Sequence, residues 1–179
     1  SDDLDQDRRA FQRRALGPED IATVESRDSK SDRVRRYKRM RLADARTHGV
    51  RTFIVERAAN GALPYVQADA AAIHAIDHVV IHTPNVERAV ALYGARLGLR
   101  LALDLESPQW DMQLLFFRAG QLTVEIAHRL SQGANHQPDV LWGLSFRVAD
   151  IEAAQARLLQ QGFNVSSVRP GRREGTHVC

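Results

Sequence analysis

The sequence predicts an α+β protein built from a repeated strand–helix–three-strand unit. One observation behind this is a helix signature that recurs three times. It opens at Asp3-Leu4-Asp5, at Asn85-Val86-Glu87 and at Asp150-Ile151-Glu152, and closes on Gly17, Gly98 or Gly162. At each opening a short polar side chain can cap the first free N–H groups, and an acid complements the positive end of the helix dipole. Each closing glycine suits the left-handed residue that commonly ends a helix. The second observation is period-two alternation of apolar and polar residues between these helices, the mark of half-buried strands.

In chain order, the first helix carries Leu4, Phe11 and Ala15 at helical spacing. Strand-like runs follow at 21–25, 34–42 and 50–56. Residues 57–72, with Asn60-Gly61 and Pro64, read as a linker. Ile76 to His82 alternates as a strand, and the second helix then presents Val86, Val90, Tyr93 and Leu97 on one side. Three more strands are predicted, at 99–105, 113–118 and 122–127, with Ala119-Gly120-Gln121 as a tight hairpin turn. Residues 131–141 read as a loop. Trp142 to Val148 alternates again, ahead of a helix bearing Ile151, Ala154 and Leu158. The expected organisation is thus a partial unit lacking its first strand (1–56), a complete unit (73–130) and a partial unit lacking its last strands (142–179).

The composition is that of an ordinary globular protein: 179 residues, 44% hydrophobic, 26% charged, with a mean hydropathy of −0.36. Apolar runs such as Val79-Val80-Ile81 are far too short to span a bilayer, and the opening Ser1-Asp2-Asp3-Leu4-Asp5 lacks the apolar segment of a leader. No membrane partner is expected. The single cysteine, Cys179, excludes an internal disulfide framework and a thiolate-rich zinc site, which makes the cytoplasm the expected compartment. Between Arg33 and Arg51 lie Arg33, Arg35, Arg36, Lys38, Arg39, Arg41, Arg46 and Arg51, against Asp44 alone. Such a block can meet phosphates, with steep salt dependence. Because only Tyr37 could stack on a base, we read it instead as a solvated strand and expect no nucleic-acid partner.

Alternation places His78, Val80 and His82 on one face of their strand, and Thr123, Glu125 and Ala127 on one face of another. If Val79, Ile81, Val124 and Ile126 pack under the helix, His78 and Glu125 point together to the opposite side. The run Ile76-Asp77-His78-Val79-Val80-Ile81-His82-Thr83-Pro84-Asn85-Val86-Glu87-Arg88-Ala89, continuing to Tyr93 and Leu97-Gly98-Leu99, resembles the opening of the vicinal oxygen chelate superfamily. That group holds glyoxalases, bleomycin-resistance proteins, fosfomycin-resistance enzymes and extradiol dioxygenases. The resemblance implies paired units forming curved mixed sheets around a cup-like cavity, with helices on the outer face. It also implies a divalent metal (Fe, Mn, Zn or Ni) on the inner wall, with His78 and Glu125 as ligands.

Aligning the helix caps puts Gly143 where a third ligand would stand, and a fourth would fall beyond Cys179. The reading therefore keeps two functions open. One is a glyoxalase-like enzyme of lyase, isomerase or dioxygenase type acting on a small oxygenated or aromatic molecule. His82 would be its general base, and Trp110, Trp142 and Arg147 would contact substrate. The other is a metal-free protein of the drug-resistance type that sequesters a small molecule, which Gly143 favours. Arg118 and Arg41 are further candidates for gripping a carboxylate, and Phe116 and Phe117 read as core. Glu56 reads as a solvated strand-end carboxylate, and His48, His74, His128, His136 and His177 as surface residues. Unfinished sheets predict self-association, as a homodimer.

Overall fold

The computed structural model describes residues 3–29, 32–56, 69–172 and 174–179. Most of the expected linker, including Asn60-Gly61 and Pro64, lies outside the described residues. The chain is a mixed α+β structure with curved sheets and few helices. Its elements are α1 (Leu4–Arg13), β1 (Ala22–Arg27), β2 (Val34–Arg41), β3 (Phe53–Val55), β4 (Ile73–His82) and α2 (Val86–Ala89). After α2 the helix runs on as a π-helical stretch, Val90–Arg96. There follow β5 (Arg100–Ser107), a 3-10 turn (Pro108–Trp110), β6 (Met112–Ala119), β7 (Leu122–Arg129), β8 (Val140–Val148), α3 (Ile151–Gln160), β9 (Arg169–Pro170) and β10 (His177–Val178).

The three helix starts are capped as their sequences imply. Asp3 accepts from the Gln6 amide at 2.9 Å, Asn85 from Arg88 at 3.0 Å, and Asp150 from Ala153 at 2.9 Å. Gly17, Gly98 and Gly162 all take positive φ beyond the helix ends. Gly98 also has a neighbour to clear: a Cβ there would stand 3.2 Å from Arg14 Nη1. The second helix departs from expectation in its π-helical half, where the Leu97 amide reaches back to the Leu92 carbonyl at 2.9 Å.

Strands β1, β2 and β3 form an antiparallel sheet in that order, while the larger sheet has the order β5-β6-β7-β4-β8. In the larger sheet β4 runs parallel to β7 without interruption, pairing Val79 with Val124, Val80 with Glu125 and Ile81 with Ile126. Its pairing with β8 is antiparallel and irregular at three places. Alternation sorts the side chains onto two faces. Ile81, Val124, Ile126, Leu115 and Phe117 pack under Ala89, Leu92 and Tyr93, in one cluster with Leu4, Phe11, Leu16, Met40 and Leu42 of the N-terminal region. Val80, Leu114 and Ala127, with Met112 and Phe116 against them, form a smaller apolar floor. The helices thus cover one face and leave the other for the site.

The basic block is distributed along β2 and the turns after it, and much of it is paired. Arg36 meets Glu25, Lys38 meets Glu56, Arg39 lies over the Phe53 ring, and Arg41 contacts Asp44 and Glu19. Glu56 is more engaged than a solvated carboxylate, since its Oε2 accepts from the Leu4 amide at 3.4 Å at the start of α1. His128 corrects the expectation of a surface histidine: it is 9% exposed, with Nδ1 2.9 Å from the Thr83 carbonyl. Among the described residues no helix is long and apolar enough to cross a membrane.

Candidate functional site

On the face away from the helices, β4 and β7 bring His78 and Glu125 together. The parallel register sets Glu125 beside Val80, with Phe116 of β6 opposite it on the other side. The carboxylate therefore rises from an apolar floor and reaches diagonally to His78 in the next strand. His78 Nε2 lies 3.3 Å from Glu125 Oε2, and both side chains are largely shielded, at 26% and 13% exposure.

The other ring nitrogen is occupied as well. Nδ1 of His78 is 2.9 Å from Asp77 Oδ2, and Asp77 Oδ1 is 2.7 Å from Arg147 Nε of β8. An ionised carboxylate can only accept, so Nδ1 is the donor in the first of these bonds. That hydrogen bond from His78, with the Arg147 charge beside it, holds the Asp77 carboxyl below the usual carboxylate range against the opposing effect of burial. In the neutral imidazole the Nε2 lone pair then faces the Glu125 carboxylate. Either a proton on Nε2 or a cation between the two groups satisfies that contact.

The spacing fits a hydrogen bond and equally the separation of two donors on one ion. With metal–ligand distances of about 2.0–2.2 Å, two donors on a tetrahedral or octahedral ion stand roughly 3.0–3.5 Å apart. An imidazole nitrogen and a carboxylate oxygen are also the donor types a divalent transition metal takes. The fit extends to two ligands. Gly143 pairs with Val80 across β4–β8, and a Cβ built on it meets nothing within 4 Å. Among the described residues no group of three or more His, Cys, Asp or Glu side chains is arranged to hold an ion.

His82 lies further along the same face and lines a cavity of about 200 Å³ with Thr83, Met112, Ala127, Arg129 and Val140. Its ring stacks on Trp142, centroids 5.3 Å apart and planes 8° apart. Burial, with Arg129 adding to it, keeps this imidazole below its ordinary value of 6.5, the charge of Glu125 partly opposing. Trp142 itself is 67% exposed. Trp110 stands apart, in a shallow depression with Leu105 and Pro108, its ring under the Arg172 guanidinium at 4.3 Å. Arg147 is engaged with Asp77, and Arg118 with Thr123 Oγ1 at 2.7 Å.

Two elements escaped the sequence reading. Asp77 carries no signal in the sequence, because strict alternation turns it away from its neighbour His78. Arg129 had no spacing argument, although it closes β7, two turns of the alternation beyond Glu125.

Comparison with known proteins places the chain in a wider group. Residues 77–179, more than half of the chain, match the family described as Glyoxalase/Bleomycin resistance protein/Dioxygenase superfamily. The ethylmalonyl-CoA/methylmalonyl-CoA epimerase of Cereibacter sphaeroides is 26% identical over 97 residues, covering 50% of this chain and 72% of its own. A crystal structure of methylmalonyl-CoA epimerase from Mycobacterium tuberculosis has a TM-score of 0.50 at 19% identity, over 60% of this chain and 78% of that one. The latter likeness is one of fold.

Proposed function

This chain belongs to the glyoxalase/bleomycin resistance protein/dioxygenase superfamily, and from that premise we propose that it is a metal-dependent enzyme of isomerase type acting on a small oxygenated carbon acid. The observation that carries the reading is the approach of His78 Nε2 to Glu125 Oε2 at 3.3 Å with Nδ1 already committed to Asp77. The relative from Cereibacter sphaeroides, which carries the name of an acyl-CoA epimerase, supports the isomerase class. His78 and Glu125 would hold a divalent ion (Fe, Mn, Zn or Ni). When bound, such an ion supplies a Lewis acid that draws negative charge onto neighbouring substrate oxygens.

The remaining work falls to the protein's own groups. Val80, Leu114 and Phe116 form a dry floor that strengthens electrostatic contacts above it. His82, an exposed residue whose pKa partial burial and Arg129 lower, can accept a proton at a ring nitrogen from a carbon acid seated in the adjoining cavity. Trp142, stacked on that ring, limits its rotation and offers an apolar surface to the substrate. The open position at Gly143 favours a second reading, in which the same hollow sequesters a small molecule without a metal.

Metal titration and isotope exchange together separate the two. We expect purified protein to take up one Zn²⁺, Mn²⁺ or Co²⁺ per chain, and His78→Ala to lose it. With a malonyl-type thioester in deuterated water, the loaded protein should exchange the α-proton. Neither uptake nor exchange in the wild type overturns the enzyme reading and leaves the sequestering one. Self-association follows from β8, whose outer edge lies at the end of the sheet. Sedimentation should give the mass of a homodimer.

A further inference from the structure

We propose that Asp77 is the positioning residue of this site and that Arg147 holds it in place, so that β8 serves the site through an ion pair rather than through a ligand. The inference rests on the reading of His78 and Glu125 as metal ligands and extends it to the groups behind them.

In a regular strand Asp77 would point away from His78. The β4–β8 pairing is irregular between Ile76 and His78, at the residue concerned. Irregularities of this kind re-aim side chains, and here the Asp77 carboxylate turns to the edge of the His78 ring. One oxygen lies 2.9 Å from Nδ1 and the other 2.7 Å from Arg147 Nε. Each bond has a distinct consequence. The first, shorter than the 3.3 Å contact of Nε2 with Glu125, favours the tautomer with hydrogen on Nδ1 and the lone pair on Nε2, and it sets the plane of the ring. The second supplies a counter-charge and stops the carboxylate from swinging to solvent, a real risk for a side chain 45% exposed. The Arg147 pair runs across the β4–β8 seam, so the position of β8 is transmitted to the ligand even though Gly143 brings it no donor.

The test has two readings of one set of variants, Asp77→Ala, Asp77→Asn and Arg147→Ala. Nitrogen-15 NMR of the metal-free protein, in mildly alkaline buffer where imidazoles are neutral, reports the His78 tautomer directly. The wild type should show hydrogen on Nδ1. Asp77→Ala should show a tautomer mixture, Asp77→Asn should keep the wild-type form through its amide oxygen, and Arg147→Ala should lie between. A purely stitching role for the Asp77–Arg147 pair would move thermal stability and leave this signature alone. An unchanged tautomer in Asp77→Ala overturns the proposal. Competition with a chelator then measures Zn²⁺ affinity, which should fall about 10–100-fold in Asp77→Ala and less in Arg147→Ala. Equal affinities for wild type and Asp77→Ala would also overturn it. Should the wild type bind no metal, the enzyme reading fails, while the tautomer experiment still decides the role of Asp77.

Discussion

Strand β4 has β7 on one side and β8 on the other, and the two neighbours make different use of it. Beside β7 the ladder is parallel and unbroken, and strict alternation carries through it. Val124 and Ile126 join Ile81 under the helix while Glu125 emerges opposite, next to His78. Beside β8 the ladder is antiparallel and shifts register three times. Its side chains are less sorted: Leu144 and Phe146, which pair with Val79 and Ile76, remain 47% and 48% exposed. Regular pairing sets Glu125 beside His78, and irregular pairing sets Asp77 and Arg147 behind it. The difference teaches that one strand can serve a histidine in two ways, through a regular ladder on one side and a register shift on the other.

The contrast in packing is open to the strongest challenge. Ile126→Ala, in the fully buried cluster, should cost about 2–5 kcal/mol through lost transfer energy and a cavity. Leu144→Ala, on the exposed face of β8, should cost under about 1 kcal/mol. Denaturant midpoints measured side by side check this, and equal losses would mean that the outer face of β8 is covered in solution.

The contrast in ligands can be sharpened next. The Gly143 backbone is not in the left-handed region and the space beyond it is open, so Gly143→His should fold. A third donor there should tighten Zn²⁺ binding by at least tenfold, about 1.4 kcal/mol. No gain would show that β8 is not seated to complete the site.

The smallest effect concerns pH. His82 titrates lower in the folded protein than its ordinary 6.5, because burial and then Arg129 disfavour the imidazolium. As pH falls, the unfolded chain takes up its proton first, so the stability conferred is full above about 6.5 and declines as pH drops through the folded value. A His82→Gln variant should show a flatter stability–pH curve between neutral and mildly acidic buffer. A curve of unchanged slope would place the titrating group elsewhere, with His48, which burial and Arg88 also lower, as the next to examine.

The parts of the molecule legible in the sequence are those governed by local rules. Caps at Asp3, Asn85 and Asp150 and terminators at Gly17, Gly98 and Gly162 are written in short-range chemistry, and each took its expected conformation. The approach of His78 to Glu125 follows from alternation in two strands plus a parallel register. What alternation cannot show is a register shift, such as the one at Asp77. His128 is buried against expectation because a ring nitrogen can be satisfied by a backbone carbonyl, here that of Thr83, which no spacing in the chain reveals. The same limit applies to Arg147, whose partner is 70 positions away.

One contact reaches beyond the site. Asp139, with a fully buried side chain, meets Arg88 Nη2 at 2.6 Å and Thr83 Oγ1 at 2.7 Å, while its amide donates to the His48 carbonyl at 2.7 Å. Detaching the N-terminal sheet would strip that amide of its acceptor and let solvent into a charge pair that is expensive to break one partner at a time. We therefore expect the two halves of the molecule to behave as a single cooperative block. Heat or urea should melt them in one transition, and a protease should find no surviving fragment of either.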